Sequence, residues 1–354
     1  MPPPENGPQP DLSDNVPLFT VIGESLVDII DDPRRGTTAP ETHPGGSPLN
    51  VAVGCARLDL RTSLITHFAE DRHGRMIAEH LDGNRVRAIV GGSLPTSTAL
   101  ASLDATGAAQ YSFSVTWDIN AASIPALAAV ESSLHVHTGS IATALPPGGT
   151  SVRGLIEAAR PHATISFDPN CRPAISPETA AARQRAEDFV AVADIVKASD
   201  EDLRWLYPGR TQDESMAAWL ELGPSLVALT RGAQGPVILT RRCRVEMPGE
   251  SVTVTDTVGA GDSFMAALIS GLAQMDLLGA ASRSRLQDLG PDELLALAAY
   301  ANRAAAITCS RQGANPPTSG ELGSMTGFFA ASGDSPPTAE RGKLWPSCGV
   351  EAPI

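Results

Sequence analysis

The chain has 354 residues, enough for one large domain or two small ones, and 42% of them are hydrophobic, as in ordinary water-soluble proteins. Lys and Arg total 26 against 40 for Asp and Glu, a net charge of −14, which argues against nucleic acid as a partner. The five cysteines show no ligand spacing and read as reduced thiols, and no apolar run or secretion signal points to a membrane, so a cytoplasmic location is expected.

Residues 1–17 are rich in Pro, Asn and Asp and are expected to form a disordered tail. Phe19–Ile30 reads as the first strand, punctuated by Glu24 and Asp28. Asp28 either faces solvent at the strand end or accepts hydrogen bonds from a polyol. Pro44-Gly45-Gly46-Ser47-Pro48-Leu49-Asn50 then leads into an apolar helix. Its glycines let backbone approach a ligand, and Asn50 serves equally well as a cap or as a ligand.

Thr96–Val115 alternates in short runs around Asp104-Ala105-Thr106-Gly107, a hairpin signal. From Ser133 strands and helices alternate. Strands are expected near 134–138, 164–167, 195–197, 226–230 and 237–240. Helices are expected near 150–160, 178–193, 201–207, 212–222, 262–274 and 291–309. Such alternation predicts an α/β fold with a mostly parallel sheet that binds ligands beyond its strands' carboxyl ends. His135 and His137 share one strand face and read as structural histidines, since no third metal ligand is evident.

Three loops after strands invite a ligand. Asp168-Pro169-Asn170-Cys171-Arg172 is either a Pro-Asn turn or a site where Asn170 meets substrate and Arg172 meets developing negative charge. Lys197-Ala198-Ser199-Asp200-Glu201-Asp202 again follows a strand and reads from its residues as a solvated acidic helix start. Thr230-Arg231-Gly232-Ala233-Gln234-Gly235 joins two strands and reads from its residues as a hairpin. Further on, Asp276–Asp292 reads as a surface loop, Asn302 lies on an Ala-rich helix face with room for a flat adenine, and 317–354 as a poorly ordered tail.

The most informative stretch is Asp256–Gly271, where a β-rich run (Val252, Val254) turns into an apolar helix. Gly259, Ala260 and Gly261 would bring backbone amides to a bound anion at a helix N-terminus, with Asp262 beside them as a proton acceptor. A Gly-Asp pair also serves as a plain turn and helix cap. The full string Asp256-Thr257-Val258-Gly259-Ala260-Gly261-Asp262-Ser263-Phe264, however, resembles the C-terminal signature of the ribokinase-like (PfkB) carbohydrate kinases. Gly45-Gly46-Ser47-Pro48-Leu49-Asn50-Val51-Ala52 resembles their N-terminal region, in the fructokinase branch, and the similarity spans roughly 18–316.

The resemblance implies a three-layer ribokinase-like fold with a small β-lid drawn from parts of 31–43 and 94–118. It implies an ATP-dependent kinase of a sugar, fructose foremost, with Asp262 as base and the Gly259–Gly261 amides as anion hole. Sugar contacts would come from Asp28, Gly45, Gly46, Asn50 and Asn170, and nucleotide contacts from Ser199, Thr230, Gly232, Gly235 and Asn302. Mg²⁺ would be positioned through water by Asp202, where many relatives carry Glu. A monovalent cation such as K⁺ would sit by Asp256, Val258, Ser310 and Gly313. The resemblance leaves open a homodimer through the lid. It leaves open as substrates ribose, 2-keto-3-deoxygluconate, a nucleoside or a sugar phosphate, as well as a non-catalytic sensor. A dinucleotide oxidoreductase is disfavoured because no GxGxxG follows the first strand.

Overall fold

The apolar run Phe19–Ile30 is cut in two at Gly23-Glu24-Ser25. β1 (Leu18–Ile22) is wholly buried in the main sheet, whereas β2 (Leu26–Asp31) crosses to a second, smaller sheet. A Cβ on Gly23 would stand 2.2 Å from the Pro48 ring, so only glycine lets the chain pass at this break. Asp28 therefore belongs to the small sheet and not to the end of a central strand. The computed structural model describes residues 18–32, 34, 40–103, 109–119 and 123–331. The expected tail at 1–17, the tip of the hairpin at 104–107, part of the lid segment 31–43 and residues 332–354 lie wholly or partly outside these.

β3 (Glu41–Gly45) and α1 (Ser47–Arg57) are followed by β4 (Arg61–Thr66), α2 (Arg72–Gly83) and β5 (Arg87–Val90). The chain then returns to the small sheet as β6 (Ser97–Leu103) and β7 (Ala109–Ser114). It continues through α3 (Ile124–Glu131), β8 (Ser133–Gly139), α4 (Gly148–Ala159), β9 (Thr164–Asp168), α5 (Thr179–Val190) and β10 (Ile195–Ser199). Next come α6 (Asp200–Leu206), α7 (Gln212–Leu222), β11 (Leu226–Thr230), β12 (Val237–Leu239) and β13 (Arg244–Glu246). The described chain ends with α8 (Ala260–Gln274), α9 (Arg283–Gln287), α10 (Pro291–Cys309), α11 (Ser319–Leu322) and α12 (Met325–Ala331).

The nine-stranded sheet runs β13-β12-β11-β10-β9-β8-β1-β4-β5, parallel throughout except where β12 and β13 form an antiparallel edge. Parallel strands are covered on both faces, which is why their sequences read as continuous apolar runs. One face packs on α1, α2, α8 and α10, and the other on α3 to α7. The four-stranded sheet runs β3-β2-β6-β7, with the predicted hairpin as its β6–β7 edge.

α8 is buried continuously from Asp262 to Leu272 because α1 and α10 flank it against the sheet. Small residues set how closely these helices approach. A Cβ on Gly54 of α1 would lie 2.7 Å from Ala266 Cβ, and one on Gly271 would lie 2.7 Å from Leu297 Cδ1. This contact fixes the first turn of α1 beside the first turn of α8.

Three expectations fail here. Val252 and Val254 form no strand, and Val254 is largely exposed. Residues 276–292 are no plain polar loop, because Leu277, Leu278, Leu286 and Leu289 enter the core and Arg283 pairs with Asp194 at 2.8 Å. The segment 317–331 is ordered as α11 and α12, which bury Leu322 and Met325 against the same core. Gly54→Ala should destabilise the fold by about 1–3 kcal/mol, since the added methyl meets a backbone-anchored Cβ. Gly154→Ala in α4, with open space around it, should instead stabilise it by about 0.5–1 kcal/mol. Paired urea titrations check both, and equal shifts would contradict the packing argument.

Candidate active site

The α8 turn demands glycine at its first position. Gly259 has φ 74°, and a Cβ there would stand 2.6 Å from Ala314 Cβ. Of the three amides expected to hold an anion, that of Ala260 is used within the turn, donating to the Thr257 carbonyl at 3.2 Å. The amides of Gly259 and Gly261, joined by that of Asp262, have no protein acceptor among the described residues. They are therefore the donors that the start of α8 offers to a ligand.

Asp262 is nearly buried, and both of its oxygens are held from α1. Ser47 Oγ donates to Oδ1 at 2.6 Å, and Asn50 Nδ2 donates to Oδ2 at 2.8 Å. Asn50, readable from sequence as a cap or a ligand, thus meets the expected base directly. The chain reaches α1 through two glycines whose lack of a side chain matters. A Cβ on Gly45 would stand 2.1 Å from Asp28 Oδ2, and Gly46 has φ 108° with the Glu24 carbonyl 2.6 Å from where its Cβ would be.

Burial raises the Asp28 carboxyl, against the opposing charges of His43 and Arg172. Glu24 is pushed up to about 7 by burial, against hydrogen bonds from the Ser140 side chain and backbone amides and the charge of Arg172. The Ala142 amide donates to Glu24 Oε2 at 3.1 Å. Arg172 therefore acts on Glu24 and Asp28, and its Nη1 donates back to Asn170 Oδ1 at 2.7 Å and to the Asn170 and Cys171 carbonyls. Asn170 spends its side-chain oxygen on Arg172 and has φ 36°.

Beneath the α8 turn lies a buried ion pair. Lys197 Nζ is 2.6 Å from Asp168 Oδ2, and a Cβ on Gly261 would stand 3.0 Å from that ammonium. Burial alone would push Lys197 down, but Asp168, with Asp262 and Asp202 beyond it, outweighs this and holds it above its ordinary value. Asp168 is raised to about 6 by burial, opposed by Lys197 and reinforced by Asp202 and Asp262. On the same sheet face His135 is lowered to about 3 by burial, with both ring nitrogens on Thr164 and Ser166 hydroxyls. His137 bonds Ser166 through Nδ1 only, and its Nε2 has no partner among the described residues.

Ser199 and Asp202 are engaged with each other at the start of α6. They form the capping box of α6, with Ser199 Oγ donating to Asp202 Oδ2 at 2.6 Å and the Asp202 amide donating back to Ser199 Oγ. Asp202 Oδ1 accepts from the Cys171 amide at 2.7 Å, so this carboxylate ties the Asn170 loop to β10. Among the described residues no group of three or more His, Cys, Asp or Glu is placed to hold a metal ion.

The other expected ligands fall into two patches. Gly235 and Asn302 meet at loop 247–249, with the Gly235 amide donating to the Gly232 carbonyl: Asn302 Nδ2 donates to the Pro248 carbonyl at 3.0 Å, and a Cβ on Gly235 would strike the Met247 carbonyl at 2.2 Å. Gly235 is thereby needed for packing, while Gly232 has open space beside it. Thr230 sits at the end of β11, its hydroxyl 3.4 Å from the Ala198 carbonyl. In the second patch Asp256 accepts from the Val258 amide at 3.1 Å and the Gly313 amide at 2.9 Å, and Thr255 Oγ1 donates to the Ser310 carbonyl at 3.1 Å. Asp256, Val258, Ser310 and Gly313 are thus brought together.

Sequence reasoning missed Ser47 and Lys197 and passed over Asp168 and Glu24. A lysine within the buried run Ile195–Ser199 was the available signal for the ion pair, because such a charge requires a partner. The environment of Glu24 yields a pH dependence. Its carboxyl is protonated in the folded chain up to about 7 and in the unfolded chain only up to its ordinary 4.5. Its contribution to stability is complete below the unfolded value and is lost as pH rises through the folded one, a loss of about 3 kcal/mol. Glu24→Gln should flatten that part of the decline in urea-unfolding stability between pH 5 and pH 8. An unchanged slope would contradict the assignment.

Known proteins resemble this chain in sequence and in fold. The profile of the pfkB family carbohydrate kinases matches residues 17–319. A fructokinase of Rhizobium leguminosarum bv. trifolii is 32% identical over 270 residues, 74% of this chain and 81% of that protein. A fructokinase of Klebsiella pneumoniae is 30% identical over 311 residues, 83% and 94% of the two chains. Among solved structures, the Vibrio cholerae O395 fructokinase with fructose, ADP and calcium ion bound is 25% identical, has a TM-score of 0.70 and covers 89% of this chain and 98% of that one. A Xylella fastidiosa fructokinase, 23% identical with a TM-score of 0.76 and coverage of 90% and 99%, shares the fold. With its three layers, its second small sheet and the glycine turn at the start of α8, this chain belongs to the pfkB family of carbohydrate kinases and is an ATP-dependent sugar kinase.

Proposed function

We propose that this kinase transfers the γ-phosphoryl group of ATP to a hydroxymethyl oxygen of fructose, with Asp262 as general base. The observation that carries the reading is the meeting of two first turns. The Asp262 carboxylate stands against Ser47 and Asn50 of α1, beside the Gly259, Gly261 and Asp262 amides. The similarity to fructokinases of Rhizobium and Klebsiella supports fructose as the acceptor.

In this mechanism the acceptor O–H gives its proton to Asp262 as the oxygen forms its bond to the γ-phosphorus and the bond to ADP breaks in line. Donors fixed before the reaction stabilise charge at that centre without reorganising. The free α8 amides have that character, and the Lys197–Asp168 pair beneath them holds the turn in place. Mg²⁺, when bound with the nucleotide, supplies neutralisation of the phosphates. Asp28, Gly45, Gly46 and Asn50 hold the sugar hydroxyls, with Asn170 and Arg172 at the same end, and thereby set the attack geometry. Thr230, Gly232 and Asn302 lie on the nucleotide side, and the Asp256–Gly313 patch is where a monovalent cation would bind. The small sheet acts as a lid that excludes water, and its outer face is where two chains would pair.

The test is a coupled phosphorylation screen over fructose, ribose, 2-keto-3-deoxygluconate and nucleosides, with and without K⁺. Fructose should be the preferred acceptor. Preference for another acceptor would overturn fructose, and binding without ATP turnover would indicate a sensor. Asp262→Asn should lower kcat by about 10²–10⁴-fold while leaving sugar affinity within a few-fold. Equal loss of affinity and turnover would assign Asp262 to binding.

A further inference from the structure

Ser47 stands at the start of α1, yet its hydroxyl makes no capping bond and crosses to another helix. Its bond to Asp262 Oδ1 at 2.6 Å joins residues that are each only 8% exposed. Asn50, the donor on the other oxygen, is only half-buried. We propose that Ser47 is a positioning residue for phosphoryl transfer: its hydroxyl keeps Oδ1 engaged throughout turnover and turns Oδ2 toward the acceptor, while Asn50 is the donor that the incoming sugar displaces. This rests on Asp262 being the general base.

The asymmetry follows from what each donor can do instead. A buried hydroxyl with no other protein acceptor among the described residues has nowhere better to donate than an ionised carboxylate. Ser47 is also rigidly placed, because α1 is seated on α8 at Gly54 and Ala266. Asn50 carries both a donor and an acceptor and can turn to a sugar hydroxyl without leaving a buried group unpaired. During transfer the sugar proton passes to Oδ2 and the Ser47 proton stays where it is. The other charges acting on this carboxylate, Lys197 from β10 and Asp168 from β9, are present with or without Ser47.

Ser47→Ala and Ser47→Thr, compared with Asp262→Asn in the full chain, test the proposal through kcat, calorimetric sugar affinity and melting temperature. Ser47→Ala should lower kcat about 10-fold or more, as expected for a lost hydrogen bond to a charged group, with sugar affinity changed by less than about 2-fold. Ser47→Thr, which keeps the hydroxyl, should restore kcat. Turnover falling only in step with melting temperature would overturn the proposal, as would affinity lost in proportion to kcat. An inactive Asp262→Asn beside an unaltered Ser47→Ala removes the role of Ser47 alone. A fully active Asp262→Asn removes the base assignment beneath it.

Discussion

The site depends on one contact between distant parts of the chain, the hydrogen bonds from the first turn of α1 to the carboxylate in the first turn of α8. Residues 215 positions apart in sequence meet there only because the two helices are packed closely along the same sheet face. The closeness is set farther along, at Gly54 and Ala266, where neither residue has a side chain beyond Cβ. Helix packing and the geometry of the candidate site are thus one constraint, since a change in helix separation also moves Asp262 from its partners.

A second constraint lies below this contact. Burying the Lys197 ammonium is tolerable only because Asp168 lies 2.6 Å away, and the pair is placed where β9 and β10 both end beneath the α8 turn. With Asp202 and Asp262 nearby, three carboxylates surround one cation, and burial together with mutual repulsion raises Asp168. Asp202 spends its oxygens on the Ser199 and Cys171 amides and the Ser199 hydroxyl. That arrangement makes Asp202 a cap of α6 and a tie to the Cys171 loop.

Much of the architecture was legible in sequence because parallel strands buried on both faces are short unbroken apolar runs. Leu226–Thr230 and Thr164–Phe167 were read in that way. Two neighbouring glycines before Asp262 likewise announced a tight turn into a helix. What escaped depended on long-range contact. The division of Phe19–Ile30 between two sheets is decided by the Pro48 ring against Gly23, which no local pattern records. Val252 and Val254 have strand propensity but no partner strand. The role of Ser47 went unread because its partner, Asp262, is 215 positions along the chain, and Arg172 carries a charge whose neighbours, Glu24 and Asp28, are known only from the fold.

These strands converge on the claim that the α8 turn is where sugar and phosphate meet. The measurement that reaches it most directly is a crystal structure with fructose and a non-hydrolysable ATP analogue bound. The account predicts the acceptor hydroxyl within hydrogen-bonding distance of Asp262 and the γ-phosphate facing the Gly261 and Asp262 amides. A sugar or terminal phosphate bound away from that turn would contradict it.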